Sequence, residues 1–355
     1  MPSGKHLGTI IGFDALNAER QARADSLISD FESAGASISR IQVDWAELEP
    51  TEGQFDSVAL TEALQTAVPE NTPIFVTLST LDSDGLTLPS YLLGSDGTLG
   101  PGQTIASAQV IDAFENLLDW LVPQLDAAGV FALSLGNEVD IPIEDGLATA
   151  DDAVVFFQSG IEAAERIDPD LATTVTLTIG AIQNQRSFLA DIVEAVDFTT
   201  FNHYCLDEAL LVTRQPRWVQ DFDAIAEASD SKPYFIQELG CPVGFGDDGP
   251  GAPARPPNGL MGDPSIQADY FRYTLGRLET DPQFIGATLF QLFDWSPELA
   301  ASFSDPLRQA GATIAGDRLE EWLATVGLCR WSDGSCRPAW DVVLENTTAL
   351  EATRN

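Results

Sequence analysis

The sequence predicts an α/β protein, a single (β/α)8 barrel with extended loops after its strands. Short apolar runs rich in β-branched residues alternate with longer segments of helical period along the whole chain. Most of the strand-like runs are apolar throughout, as expected for parallel strands covered by helices. Eight such runs occur, which is the number of strands in a (β/α)8 barrel.

The predicted strands and helices follow each other in regular order. The strands are Leu7–Phe13, Ile38–Val43, Pro73–Leu78, Val130–Leu135, Thr173–Ile179, Phe198–Phe201, Tyr234–Ile236 and Ile285–Phe290. The helices are Ala18–Ala34, Ser57–Ala67, Ile105–Ala128, Ala150–Ile167, Phe188–Val196, Arg217–Ala228, Ile266–Thr280 and Leu319–Val326. Gly35 and Gly129 stand just past helix ends, where glycine commonly ends a helix. The alternative is an open doubly wound sheet, but no glycine-rich fingerprint follows the first strand.

The chain shows no domain boundary, so we predict one domain spanning residues 1–355. One stretch of biased composition, Gly244–Gly262, is rich in glycine and proline and follows the seventh predicted strand. A long loop in a compact barrel is usually functional or mobile. We therefore interpret it as a βα loop.

Charge excludes several classes of partner. The chain carries 17 basic against 55 acidic side chains, a net charge of −38, although 44% of its residues are hydrophobic. Such a charge repels phosphate backbones and anionic lipid heads, so we expect no nucleic-acid or membrane-surface partner. No run of about 18 apolar residues is present, which argues against a membrane span. The acidity serves either solubility or life at high salt, where screening relieves self-repulsion.

The four cysteines predict two disulfides. Cys329 and Cys336 lie close in sequence, and Cys205 and Cys241 follow neighbouring strands at the same face of the predicted barrel. The spacing lacks a C-x-x-C pair and the chain has only two histidines, so we expect no metal site and no cofactor. Disulfides indicate a secreted or periplasmic protein, and a secreted chain that has lost its signal peptide would look like this one. The alternative is four free thiols in a cytosolic enzyme.

Polar and aromatic residues cluster at the carboxyl ends of the predicted strands, where barrels of this fold carry their active sites. These residues are Arg40 and Trp45 at strand two, Asn137 and Glu138 after strand four, Asn202, His203 and Tyr204 at strand six, Glu238 at strand seven and Trp295 after strand eight. Two carboxyl groups in one site with aromatic walls are what hydrolysis of a glycosidic bond requires. Glu138 and Glu238 are therefore the candidate catalytic pair.

These segments resemble clan A of the glycoside hydrolases, retaining (β/α)8 enzymes that include cellulases, mannanases, galactanases and β-glucosidases. Leu135-Gly136-Asn137-Glu138 is similar to the clan's fourth-strand end, and Tyr234–Gly240 is similar to its seventh-strand segment. The resemblance implies that Glu138 is the acid/base and Glu238 the nucleophile. It covers nearly the whole chain but does not identify a family within the clan.

The same resemblance implies roles for other side chains. The clan's strand-two arginine, strand-six tyrosine and strand-eight tryptophan correspond to Arg40, Tyr204 and Trp295. Asn137 is expected to contact the 2-hydroxyl of the sugar, and we add Trp45, Asn202 and His203 as substrate contacts. For His203 the alternative is a hydrogen-bonded histidine in the core. The C-terminal segment also resembles the tail of several families, with Arg337 where lysine is usual.

Together these observations predict retaining hydrolysis of β-glycosidic bonds in a neutral poly- or oligosaccharide by a monomer. The acidic rim formed by Asp247, Asp248 and Asp294 disfavours uronates and phosphorylated metabolites. We favour an endo-acting β-glycanase. The alternatives are an exo-acting β-glycosidase and a catalytically inactive carbohydrate-binding barrel.

Overall fold

The secondary structure follows the predicted alternation. In the computed structural model the described residues are 4–12, 14, 16–68, 72–95, 97–246, 248 and 253–354. The strands are β1 (His6–Thr9), β2 (Ser39–Asp44), β3 (Ile74–Ser79), β4 (Leu81–Asp82), β5 (Gly85–Leu86), β6 (Val130–Ser134), β7 (Ala172–Thr174), β8 (Thr176–Thr178), β9 (Thr199–Tyr204), β10 (Tyr234–Gly240) and β11 (Phe284–Leu289). The helices are α1 (Ala18–Ser33), α2 (Trp45–Leu48), α3 (Ser57–Gln65), α4 (Ala108–Ala127), α5 (Asp140–Glu144), α6 (Ala150–Ile167), α7 (Ile179–Asn184), α8 (Arg186–Ala195), α9 (Gln215–Ala228), α10 (Pro264–Thr280), α11 (Pro297–Gln309), α12 (Thr313–Leu323) and α13 (Pro338–Arg354).

Each of the eight predicted strands coincides with an observed one. The fifth is divided into β7 and β8. The first ends earlier than predicted, and its predicted last residue, Phe13, lies outside the described residues. The β4–β5 hairpin, the short helices α2, α5 and α7, and the longer helices α11 and α13 were not predicted.

The chain divides into two compact units. The first unit comprises Ile38–Asn202 and Ala224–Gln237, and the second comprises Gly4–Ser37, His203–Asp223 and the chain from Glu238 onward. Strands β9 and β10 each begin in the first unit and end in the second.

The first unit contains a parallel sheet of four strands in the order β2-β3-β6-β7, and β8 pairs in parallel with β9. The antiparallel hairpin β4–β5 directly follows β3. A cluster of aromatic rings from the helices packs beside the sheet, with the ring centroids of Phe114 and Phe156 4.4 Å apart. Parallel strands joined by helices confirm the predicted α/β class.

In the second unit, β1 pairs in parallel with β11, and Leu7 stands opposite Ala287. Two disulfides, Cys205–Cys241 and Cys329–Cys336, join the predicted pairs and confirm both. Across the part of the chain that the structure describes, no helix is both long enough and apolar enough to cross a bilayer.

Candidate active site

Glu138 stands four residues beyond the end of β6. Its backbone has φ 48°, a left-handed conformation that residues other than glycine rarely adopt. Hydrogen bonds on both sides hold it there: the Asn137 amide donates to the Leu81 carbonyl at 3.0 Å, and the Val139 amide donates to the Thr176 carbonyl at 3.2 Å. Glu138 is partly exposed, while Asn137 just before it is buried.

The carboxyl group of Glu138 is held by a buried amide. Asn202 Nδ2 donates to Glu138 Oε1 at 2.9 Å and to Asn137 Oδ1 at 3.1 Å. Asn202 is 3% exposed, and its Oδ1 has no hydrogen-bond partner among the described residues. The structure therefore brings together three of the predicted site residues, Asn137, Glu138 and Asn202.

Asn137 is held on both sides of its amide. Its Oδ1 also accepts from Gln237 Nε2 at 2.9 Å, and its Nδ2 donates to Asp82 Oδ1 at 3.0 Å. The Gln237 Oε1 in turn accepts from the hydroxyls of Thr77 at 2.8 Å and Thr176 at 2.7 Å. All five side chains are buried, so each link lies away from bulk water.

Arg40 joins the same set of hydrogen bonds. It is 3% exposed, and its Nε donates to Thr77 Oγ1 at 3.3 Å. Its Nη2 donates to Gln42 Oε1 at 2.9 Å, and Gln42 Nε2 donates to Asp82 Oδ2 at 3.0 Å. We call the side chains of Arg40, Gln42, Thr77, Asp82, Asn137 and Gln237 the Arg40 network. Nearby Asp44 has a pKa raised to about 6, chiefly by burial and further by the charges of Glu47 and Asp82.

Glu238, the other predicted catalytic carboxylate, lies in β10 and is 7% exposed. The Tyr204 hydroxyl donates to Glu238 Oε2 at 2.6 Å, a short bond that favours a carboxylate acceptor. The Tyr204 ring meets Phe290 and Trp322 edge to face, with centroids 5.6 and 4.7 Å away. A Cβ at Gly240 would lie 2.8 Å from the Tyr204 ring, so glycine is needed for this ring position.

Trp45 was predicted to contact sugar, and this prediction is wrong. The side chain is fully buried, its Nε1 donates to Glu49 Oε2 at 2.8 Å, and its ring packs on Phe114 and Phe156. The residue begins helix α2 directly after β2, and the helix turns the indole into the aromatic cluster.

His203 was also predicted to contact substrate, with a hydrogen-bonded core histidine as the alternative, and the structure corrects the prediction in favour of that alternative. It is 1% exposed, its Nδ1 lies 2.7 Å from the Tyr270 hydroxyl, and its Nε2 lies 3.4 Å from Asp221 Oδ2. Successive side chains of a strand point to opposite faces. His203 therefore points away from the face that carries Asn202 and Tyr204, its neighbours in β9.

Trp295 is 6% exposed and packs in a cluster with Phe290, Ala300, Leu323 and Val326. Little of the indole face is open, so its contact with sugar stays a prediction.

Asp248 and Asp294, predicted to form an acidic rim, are instead paired with a buried arginine. Arg337 is fully buried and binds both carboxylates through two nitrogen–oxygen contacts each, at 2.6 to 2.8 Å. We call these three residues the Arg337 clamp. Burial raises the pKa of Asp294 to about 6, although Arg337 opposes that shift. The rim residue Asp247 and part of the Gly244–Gly262 loop lie outside the described residues.

Several side chains of the site were missed by the sequence analysis. Asp82 follows β3 by three residues, so the strand-end rule applied to the third strand would have indicated it. Trp322 lies in helix α12, and no pattern in the sequence links it to Tyr204. A cavity of about 650 Å³ in the first unit is lined by residues such as Phe55, Tyr91 and Asp112, and by none of the predicted site residues.

Comparison with known proteins identifies the fold. No protein-family model and no curated protein sequence matches the chain. Among solved structures, it is similar to the exo-β-1,4-mannosidase Op5Man5 from Opitutaceae bacterium strain TAV5, with a TM-score of 0.68, 15% identity and coverage of 98% of this chain and 60% of the other. It is also similar to a GH5_18 protein from Streptomyces cattleya in complex with GlcNAc, with a TM-score of 0.69, 16% identity and coverage of 98% and 81%.

A GH5_18 protein from Bifidobacterium longum subsp. infantis gives a TM-score of 0.66 and 16% identity, with coverage of 98% of this chain and 79% of the other. The chain thus spans about three fifths of Op5Man5 and about four fifths of the GH5_18 proteins. Identities this low establish the fold and no more. The chain therefore has the (β/α)8 fold of these glycoside hydrolases, as the sequence predicts.

Proposed function

We propose that the chain hydrolyses β-glycosidic bonds with retention of configuration, with Glu138 as acid/base and Glu238 as nucleophile. The observation that carries this proposal is the different setting of the two carboxyl groups. Glu238 is buried and accepts a 2.6 Å bond from a phenol, which holds the carboxyl group in place as a nucleophile requires. Glu138 is partly exposed and its Oε1 accepts from a neutral amide, which suits a group that gives up and regains a proton.

In this mechanism Glu238 attacks the anomeric carbon while Glu138 gives its proton to the departing glycosidic oxygen, leaving the sugar as an ester on Glu238. Glu138, now a carboxylate, takes a proton from water, which attacks the same carbon and releases Glu238. Two inversions give net retention. In this proposal Asn137 contacts the sugar hydroxyls, and Tyr204 holds Glu238 in place.

We infer a neutral sugar as substrate, because the net charge of −38 opposes the approach of anionic sugars. A β-mannoside is the first candidate, since similar structures are those of an exo-β-1,4-mannosidase and of a GH5_18 variant with bound Manβ1-4GlcNAc. These names favour exo action over the endo action that the sequence analysis favoured. Product sizing separates the two, because exo action releases only monosaccharide in the first minutes, whereas endo action releases a ladder of oligosaccharides.

The roles of the two glutamates are tested by chemical rescue. We expect Glu238→Ala and Glu138→Ala each to lose at least about 1,000-fold in kcat on aryl β-glycosides. With azide, Glu138→Ala should form the β-glycosyl azide, since the intermediate on Glu238 is intact, and Glu238→Ala should form the α-azide by direct attack. Glu144→Gln removes an exposed carboxylate from the same region and serves as the control. Wild-type inactivity on every glycoside, together with sugar binding, would instead identify a non-catalytic carbohydrate-binding barrel.

We also propose a secreted or periplasmic monomer with one catalytic domain, an assignment that the two disulfides support. Adaptation to high salt remains part of this proposal. It is tested by unfolding the protein with and without molar NaCl, and equal stability in both would contradict it.

A further inference from the structure

We propose that Asp82 is a positioning residue that sets the orientation of the Asn137 amide and, through Asn202, the oxygen of Glu138 that carries the catalytic proton. The inference deepens the proposed function and rests on it. Asp82 comes from the short β4–β5 hairpin, is 6% exposed, and lies 3.0 Å from Asn137 Nδ2.

The hydrogen bonds of the Arg40 network all run in one direction. A guanidinium can only donate, so Arg40 gives protons to Thr77 and to Gln42. The Thr77 hydroxyl donates to Gln237 Oε1. The Gln237 amide nitrogen then donates to Asn137 Oδ1, and the Asn137 amide nitrogen donates to Asp82. A second, shorter path runs from Arg40 through Gln42 to the same carboxylate.

Both paths end at Asp82 because a carboxylate can only accept. Three further donors converge on it: the Ser79 hydroxyl at 2.7 Å, the Ser83 amide at 2.7 Å and the Ser83 hydroxyl at 3.2 Å. Together with Gln42 and Asn137, five donors therefore bind this one carboxyl group. With a donor-only group at the start and an acceptor-only group at the end, neither amide between them can flip without breaking bonds at both of its ends.

Two consequences for chemistry follow. The Asn137 Nδ2 is turned toward Asp82, so its second N–H is the group that can be given to a sugar hydroxyl. The Asn137 Oδ1 can only accept hydrogen bonds, so the Asn202 side chain turns its Nδ2 toward it. The same Nδ2 also donates to Glu138 Oε1. Because Oε1 already receives that N–H, the acid proton of Glu138 belongs on Oε2.

The decisive variant is Asp82→Asn, which keeps the shape of the side chain but can place a donor opposite Asn137. The control is Asp84→Asn, which removes an exposed carboxylate two residues away in the same hairpin. We expect kcat for Asp82→Asn to fall about 10- to 100-fold with KM nearly unchanged, the loss typical of a misplaced catalytic group. The Asp84→Asn variant should stay within about 2-fold of wild type.

The readout specific to orientation is the penalty for removing the sugar 2-hydroxyl. For wild type and Asp84→Asn, kcat/KM should fall by a large factor when the aryl glycoside is replaced by its 2-deoxy counterpart. For Asp82→Asn this factor should be at least about 5-fold smaller, because the Asn137 N–H no longer points to the 2-hydroxyl. An unchanged 2-deoxy penalty in Asp82→Asn would contradict the inference while leaving the proposed function standing. Inactive wild type across the glycoside panel would contradict the proposed function itself.

Neutron diffraction of the deuterated wild-type protein tests the orientation without any activity and without a variant that must fold. We expect deuterons on Asn137 Nδ2 pointing to Asp82 and, at a pH where Glu138 is protonated, a deuteron on Oε2. A deuteron on Oε1, or Asn137 turned with its oxygen toward Asp82, would overturn the assignment.

Discussion

Two buried arginines, one in each compact unit, are used in opposite ways. Arg40 donates to the neutral oxygens of Thr77 and Gln42, at the start of a network of amides and hydroxyls. Arg337 binds Asp248 and Asp294 directly, with no neutral side chain between the charges. The first arrangement fixes the direction of hydrogen bonds around Asn137, next to the candidate acid/base Glu138. The second fixes chain segments that are far apart in sequence.

The difference predicts where each arginine matters. Removing one partner of a buried ion pair leaves an uncompensated charge, which is costly for stability. Breaking one link between neutral groups costs only about 0.5 to 1.5 kcal/mol, but it can release an amide that substrate contacts depend on. The clamp should therefore affect unfolding, and the network should affect turnover.

The largest expected effect is on the clamp. Arg337→Met should lower the free energy of unfolding by about 3 to 5 kcal/mol, because Asp248 and Asp294 lose their buried cation. The measurement is urea unfolding. Arg308→Met is the matched control, since Arg308 also pairs with several carboxylates but is partly exposed, and it should lose about 1 kcal/mol or less. Equal losses in the two variants would show that burial is not the deciding factor.

A smaller effect concerns pH. Burial raises the pKa of Asp294 to about 6 from its ordinary value of 3.8, so between these values the folded protein binds a proton that the unfolded chain has released. This group therefore stabilises the fold in acid, and its contribution falls as pH rises from about 4 to 6, by at most about 3 kcal/mol. Unfolding measured from pH 4 to 7 should show a slope that Asp294→Asn flattens. Parallel curves for wild type and variant would contradict the assignment.

The smallest effect is expected for Thr77→Val in the Arg40 network. Gln237 Oε1 would still accept from Thr176, so the amide orientation should survive, with about 1 kcal/mol lost in stability and kcat within about 3-fold of wild type. The double variant Thr77→Val/Thr176→Val removes both donors to Gln237 Oε1. Its fall in kcat should be well beyond the product of the two single-variant falls. Additive effects on kcat would show that these hydroxyls do not orient Gln237.

Much of the fold could be predicted because its signals are local. Each signal lies within a short stretch of sequence: the strand is indicated by the continuous apolar run Tyr234–Ile236, and the helix by the apolar period of Ala150–Ile167. The hairpin at Asp82 and helix α11 could not be found in that way, since the hairpin strands are two residues long and α11 contains Pro306, a residue that usually breaks a helix.

The candidate site was predicted to a different extent at each strand end. Asn137 and Glu138 form a recognisable Asn-Glu pair after the fourth predicted strand. The structure brings them together with Asn202, as expected for residues at the carboxyl ends of parallel strands. Trp45 and His203 were misassigned because position at a strand end does not say which face a side chain takes. One begins a helix and turns into the aromatic cluster, and the other alternates with its neighbours in β9.

By itself, the sequence predicted the eight main strands, most of the long helices, the two disulfide pairs and the candidate catalytic carboxylates, because hydrophobic period, residue type and position at a strand end can be read along the chain. Only the tertiary structure decided that Asp82 accepts a hydrogen bond from Asn137 and that Arg337 binds two aspartates. Gln237 and Asn137 are 100 residues apart, and Arg337 and Asp248 are 89 apart. Hydrogen-bond direction and the pairing of buried charges depend on which distant groups meet, and that is set only when the chain has folded.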